Sequence, residues 1–291
     1  MGILAHQSNQ LARATKALEH AYVGGIDRAE YPLAIAVGER GRPREAVQRL
    51  EVILRSRRAQ LGSRHPDTLA CVHQWAFFTG EAGEAQTAAE EFRDLIATTT
   101  AALGSAHADT LAARHQCAYF TGEAGGVTSA VEQLVDLLDF RQRLEGSRSP
   151  QVLAVRRSLI WFSAMTQGLA TAERELKKLA LCAREELKPG DPHLLAILST
   201  QAEFHVRAGR TQDGIEAFTE IFAERSRILG RDHPHSLHTR LQLAQALMRL
   251  GRTDHAQREL MQIMIDAEAV LEPGHRHLVL AESLIRHIQG T

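Results

Sequence analysis

The chain has 291 residues, of which 44% are hydrophobic, 24% charged and 5% aromatic, with 34 Lys and Arg against 35 Asp and Glu. A net charge near zero excludes a globally basic nucleic-acid or membrane-surface binder, so any electrostatic recognition must be local. Three cysteines, Cys71, Cys117 and Cys182, are an odd and widely spaced set inside apolar segments, which predicts buried free thiols and not a disulfide framework.

Residues 1–24 predict an amphipathic capping helix, with Leu4, Leu11, Ala14, Leu18 and Tyr22 on one stripe ended by Gly24-Gly25. It carries no signal-peptide pattern, and no apolar run along the chain reaches membrane-spanning length, so the expected location is cytoplasmic. From residue 25 onward a period takes over. Leu61-Gly-Ser-Arg-His-Pro-Asp-Thr-Leu69 recurs at residues 103–111 and 229–237, a step of 42 taken once and four times. That step places Gly41, Gly83, Gly125, Gly209 and Gly251 in one column, broken only at Gln167, beside Gly168.

Five positions after each glycine comes a small residue: Ala46, Ala88, Ala130, Ala172, Gly214 and Ala256. Four and seven positions later come the large apolar columns from Leu50 to Leu260 and from Ile53 to Ile263, one face of an amphipathic helix. Upstream of each glycine a second helix carries the column Ala34, Ala76, Ala118, Ala202 and Ala244. Each unit therefore reads as helix, glycine turn, longer helix. Six such hairpins and a terminal capping helix fill residues 25–288; the capping helix, at about 276–288, is a last copy that stops after its first helix, with Arg286 and His287 on a wet outer surface.

Pro66, Pro150, Pro192 and Pro234 suit the first turn of a helix, and Asp67 and Asp109 there complement its dipole. His65, His107, His233 and His275 share one column at this turn and read as part of it. Repeat four is irregular: Glu145, Ser149, Ile160 and Gln167 replace the column Leu, His, Ala and Gly. Ile160 in a small-residue column predicts overpacking and a change of curvature beside Trp161.

Glycine, small and large apolar positions at these intervals resemble the tetratricopeptide repeat, in the 42-residue form of kinesin light chains and multi-repeat bacterial regulators. His73-Gln-Trp-Ala-Phe-Phe-Thr-Gly-Glu-Ala-Gly83 and its copy at 115–125 resemble the first-helix signature of the bacterial group. One departure is that the usual Asn is Gln74, Gln116 or Gln242 here, and Ser158 or Thr200 elsewhere. The resemblance implies an all-α fold, a right-handed α-solenoid of antiparallel hairpins whose first helices line a concave groove. In this register the groove columns are His73, His115 and Arg157; Phe77, Tyr119, Trp161, Glu203 and Gln245; and Glu81, Glu123, Arg207 and Arg249. They form an aromatic ladder with acidic charge early and basic charge late. Its rings are read either as anchors for a guest or as packing between hairpins.

The expected function is a scaffold or adaptor that binds a peptide or helical segment of another protein in this groove. The alternative is a regulator whose superhelix changes pitch on sensing a ligand. No Walker loop, dinucleotide fingerprint or His-Glu-x-x-His is present, so neither catalysis nor a cofactor is expected. His233-x-His235-x-x-His238 comes nearest to metal-ligand spacing, but His233 belongs to the turn column, and no metal is expected. The arginines from Arg40 to Arg64 read as a solvated convex face because no aromatics interleave them, so no nucleic-acid or membrane partner is expected. The oligomeric state is left open.

Overall fold

The computed structural model describes residues 30–268 and 270–290; the expected capping helix over residues 1–24 lies outside them. Among the described residues the chain forms thirteen α-helices and no strand. First helices of the repeats are α1 (Glu30–Glu39), α3 (Pro66–Glu81), α5 (Ala108–Glu123), α7 (Pro150–Gln167), α9 (Pro192–Arg207), α11 (Pro234–Arg249) and α13 (Arg276–Gln289). Second helices are α2 (Pro43–Leu61), α4 (Ala85–Leu103), α6 (Val127–Glu145), α8 (Leu169–Glu186), α10 (Thr211–Leu229) and α12 (Thr253–Glu268).

The chain divides into two compact units, one built on Pro43–Gly168 with the described residues up to Gly38, the other on Leu169 onward with Glu39–Arg42. Repeat four is shared between them, its first helix in one unit and its second in the other. Consecutive helices pack on each other from α2 to α7, and again from α8 to α13. First helices of successive repeats also touch, α3 with α5 and α5 with α7 in one unit, α9 with α11 and α11 with α13 in the other. Each unit is thus a stack of helical hairpins, the α-solenoid architecture.

The columns explain the packing. Ala46, Ala88, Ala130 and Ala256 have no exposed surface, which lets neighbouring backbones approach, and Leu50, Phe92, Leu134, Leu176, Phe218 and Leu260 are buried at 0–1% exposure. Each such side chain contributes roughly 1.5–3 kcal/mol by leaving water. Ile160, expected to overpack, is 8% exposed, against 0% for Ala76, Ala118, Ala202 and Ala244 in the same column.

The histidine column is a set of helix caps. His65, His107, His233 and His275 each precede a helix, and each Nδ1 accepts the backbone N–H two residues on at 3.2 Å. Ser149 and Asp191 stand at the same place in their repeats and accept from Val152 and His193 at 3.1 and 2.8 Å. Six residues of three chemical types each satisfy an orphan donor of the first turn, the N–H two residues on in five of them and three residues on at Ser149, which is what a cap requires.

The glycine column sits at equivalent bends: Gly41, Gly83, Gly125, Gly209 and Gly251 all have positive φ, between 75° and 103°. After α3, Ala82, Gly83 and Glu84 donate to the carbonyls of Phe78, Gly80 and Thr79, closing a three-residue turn. Repeat four departs from this. α7 runs on to Gln167, the left-handed residue is Gly168 at φ 90°, and α8 begins at once at Leu169. A Gln cannot take that conformation cheaply, so the bend moves one residue to the nearest glycine. The second helices keep their step of 42 because the turn, and not the helix, absorbs the change.

Candidate functional site

In the first unit, α3, α5 and α7 place the expected columns side by side. Phe78, Phe120 and Phe162 are core residues at 0–2% exposure, whereas the adjacent Phe77, Tyr119 and Trp161 are half-buried. Phe77 meets the ring of Phe120 edge-on at 6.2 Å, and Tyr119 meets Phe162 the same way at 6.0 Å. Two ladder rings therefore rest an edge on the next hairpin while part of their surface stays accessible. Packing of this kind fixes their rotamers in advance, which lowers the entropy cost of using them as contacts.

One turn before the ladder lie His73, His115 and Arg157, all half-buried. His73 packs edge-on against Phe92 at 5.1 Å, and its buried Nε2 has no hydrogen-bond partner. Burial pulls its pKa below the usual value, so the ring is neutral at pH 7. His115 Nε2 lies 3.0 Å from Ser158 Oγ, joining two hairpins. One turn beyond the ladder, Glu81 is half-buried and Glu123 exposed. Tyr31, which heads the same column as His73, instead donates to the Ala70 carbonyl at 3.2 Å and lies under the Arg57 guanidinium at 4.3 Å.

In the second unit, Glu203, Arg207, Gln245 and Arg249 line one recess of about 240 Å³, together with Val206, Phe218, Gln242 and Ala246. Column reading alone missed how its charges are used. Arg207 pairs with Glu203 at 2.6 Å, and Gln242 from the next hairpin donates to the other Glu203 oxygen at 3.0 Å. The i, i+4 spacing of Glu203 and Arg207 is the signal that pointed to the pair. Arg249 is exposed and forms no ion pair among the described residues, so it supplies the available positive charge on this face. A second recess of about 540 Å³ shares Gln245 and Arg249 and adds Met248, Ser283, Leu284 and His287. Those last three come from α13, the expected terminal helix, which the column reading did not include in the site.

The remaining candidates have structural roles. His233 Nδ1 is occupied as a cap, and among the described residues no group of three His, Cys, Asp or Glu side chains is arranged to hold a metal ion. Cys71 and Cys117 are buried free thiols and Cys182 a half-buried one; burial pushes the Cys71 thiol up to about 11. From the early arginine group, Arg49 pairs with Glu45 at 2.8 Å, and Arg57 donates to the Asp67 carbonyl at 2.6 Å. Among the described residues no helix is long and apolar enough to cross a membrane.

Residues 193–264 match the tetratricopeptide repeat family. The nearly identical TPR-like repeats assigned to a kinesin light chain of Podosopora anserina are 25% identical, with a TM-score of 0.50, over 69% of this chain and 95% of that one. BtubC (BKLC) of P. vanneervenii is similar at 18% identity and TM-score 0.53, over 78% of this chain and 93% of that one. A Rap protein complexed with Competence and Sporulation Factor shares the fold at 10% identity and TM-score 0.62, over 92% of this chain and 78% of that one. No curated protein sequence matches the chain.

Proposed function

We propose that this array of tetratricopeptide repeats, kinesin-light-chain-like in their sequence pattern, is a scaffold that binds a peptide or helical segment of a partner protein along its first-helix faces. Repeats of this type mediate protein–protein contact and are generally non-enzymatic. The observation that carries the reading is the half-buried row Phe77, Tyr119 and Trp161, the first two pre-positioned against core rings, with Glu81 and Glu123 one turn beyond. Large rings held in one rotamer bury area at low entropy cost, and the flanking carboxylates favour a basic stretch of the guest. On the second unit, Arg249 and the two recesses it borders offer a place for an acidic stretch.

The test is affinity capture with the full chain, followed by titration of the captured protein against variants. Glu81→Arg with Glu123→Arg should weaken binding by about tenfold or more, as should Trp161→Ala. Unchanged affinity in all of these variants removes the reading. The Rap neighbour was solved with a bound factor, which makes a ligand-sensing regulator the second reading. A captured partner that binds without altering hydrogen exchange at the turns would favour the plain scaffold.

A further inference from the structure

Few buried side chains hold α13 in place. Of its residues only His277 and Ala281 are buried, against nine on α11, while Leu278, Leu284, Ile285 and Ile288 rest partly covered on the core of α11 and α12. The position of His277 is exposed at Asp67, Asp109, Gln151 and His235 in earlier repeats and half-buried at His193, so its burial is particular to α13. An alanine contributes little by leaving water, which makes His277 the principal sequestered contact of this helix.

What surrounds His277 suits a neutral ring. The side chain is 7% exposed, its ring lies 5.0 Å from that of His238 on α11 and 4.7 Å from that of His275, and neither of its nitrogens has a hydrogen-bond partner. His238 Nδ1 has none either. The titratable and charged groups that face His277 are His275 and Arg276 on α13 and His235 and His238 on α11, with Arg225 of α10 facing the latter two. On α12, Glu259 and Asp266 are drawn to Arg240. No carboxylate faces His277 among the described residues. A neutral imidazole is tolerated in such a shell, whereas an imidazolium would bring two unsatisfied donors and a full charge beside Arg276.

We propose that the first turn of α13 is an acid-released latch, in which a proton taken up by His277 frees the helix from α11 and α12 while the preceding hairpins stay folded. Release returns the charged ring to water, and α13, as the last helix of the described stack, can leave without unstacking another hairpin. The docked ring resists protonation and the free ring accepts it near pH 6.5. Docking is therefore favoured above about pH 6.5 and weakens by about tenfold per pH unit below it. Departure uncovers Leu241, Leu260 and Ile263 and takes Ser283, Leu284 and His287 from the wall of the second recess. The effect on a guest in that recess rests on the proposed function; the latch itself does not.

Hydrogen exchange on the full chain from about pH 7.5 to about pH 5 tests this, read as protection factors so that the pH dependence of the intrinsic rate is removed. In the wild type the amides of α13 should lose about tenfold in protection per pH unit below about pH 6.5, while those of α3 and α5 hold theirs. His277→Phe should keep α13 protected across the range, and His287→Gln, which removes an exposed histidine of the same helix, should leave the loss unchanged. His277→Leu is the second apolar replacement where the larger ring is not accommodated, and if neither variant folds the wild-type comparison of α13 with α3 and α5 decides alone. The latch is overturned if α13 loses no more protection than α3 and α5, or if a folded His277 variant loses it as steeply as the wild type. A captured partner that binds equally at both ends of the range while α13 is released leaves the latch standing and takes the second recess out of the guest's path.

Discussion

The ring of Phe120 occupies the space that a side chain on Gly80 would need: a Cβ built on Gly80 would stand 2.2 Å from Phe120 Cε1 and 2.4 Å from Cζ. Gly38 receives Phe78 and Gly122 receives Phe162 with the same geometry, at 2.3 Å. Each glycine is a socket in one hairpin for a ring of the next. Glycine inside a helix is ordinarily about 1 kcal/mol worse than alanine, so Gly80→Ala on an open surface would stabilise. Here the gain is reversed, because Phe120 is walled in by Phe92 stacked at 5.9 Å and by Phe77. Gly80→Ala should lower stability by about 1–3 kcal/mol in urea unfolding, and Phe120→Leu in that background should recover part of it. A stabilised single variant would show that the ring moves freely.

Those sockets were not legible in the sequence, whereas the bends and core columns were. A column announces itself when one kind of residue recurs at one step, as from Leu50 to Leu260. The socket column begins Gly38, Gly80, Gly122 but continues Ala164, Val206, Met248, so its small-residue signal fades. The matching column begins Phe78, Phe120, Phe162, Phe204 and then shrinks to Ala246. The information lies in paired volumes forty residues apart, large against small and then the reverse. For the candidate site the sequence located the columns but not how their charges are used. Arg207 is committed to Glu203, a pairing that the i, i+4 spacing signals but the column reading passed over.

The cap column makes a prediction about chemistry that histidine conceals. Because Asp191 and Ser149 do the work of His107 in their own repeats, His107→Asp should hold stability near the wild type at neutral pH. His107→Ala should lose about 0.5–2 kcal/mol, measured by urea denaturation. An Ala variant as stable as the Asp variant would mean that this hydrogen bond contributes nothing net.

Gly168 carries repeat four alone. Its φ of 90° is unavailable to an L side chain without strain, yet a Cβ there would meet no atom within 4 Å. Any cost of Gly168→Ala is therefore purely conformational, about 1–2 kcal/mol. Gln167→Ala, at the last residue of α7, should be neutral within about 0.5 kcal/mol. If the two variants unfold alike in urea, the left-handed bend is not where repeat four turns.

Acid stability should turn on His277. The side chain is 7% exposed, neither ring nitrogen has a hydrogen-bond partner, and its ring lies 5.0 Å from that of His238 and 4.7 Å from that of His275. Burial, these histidines, Arg276 and His235 all push its pKa far below the ordinary value, and burial with Arg225, Arg276 and His235 brings His238 down to about 3. The unfolded chain binds these protons near pH 6.5 while the folded chain does not. Their contribution is therefore fully present above about pH 6.5 and is lost progressively as the pH falls below it, by up to about 1.4 kcal/mol per pH unit for His277. Between pH 6.5 and 5 most carboxylates remain ionised, so the window isolates the histidines. The melting temperature should fall across it, and His277→Phe, which keeps a ring in the same space, should flatten the fall. An equal slope in that variant would show that His277 takes up its proton in the folded state.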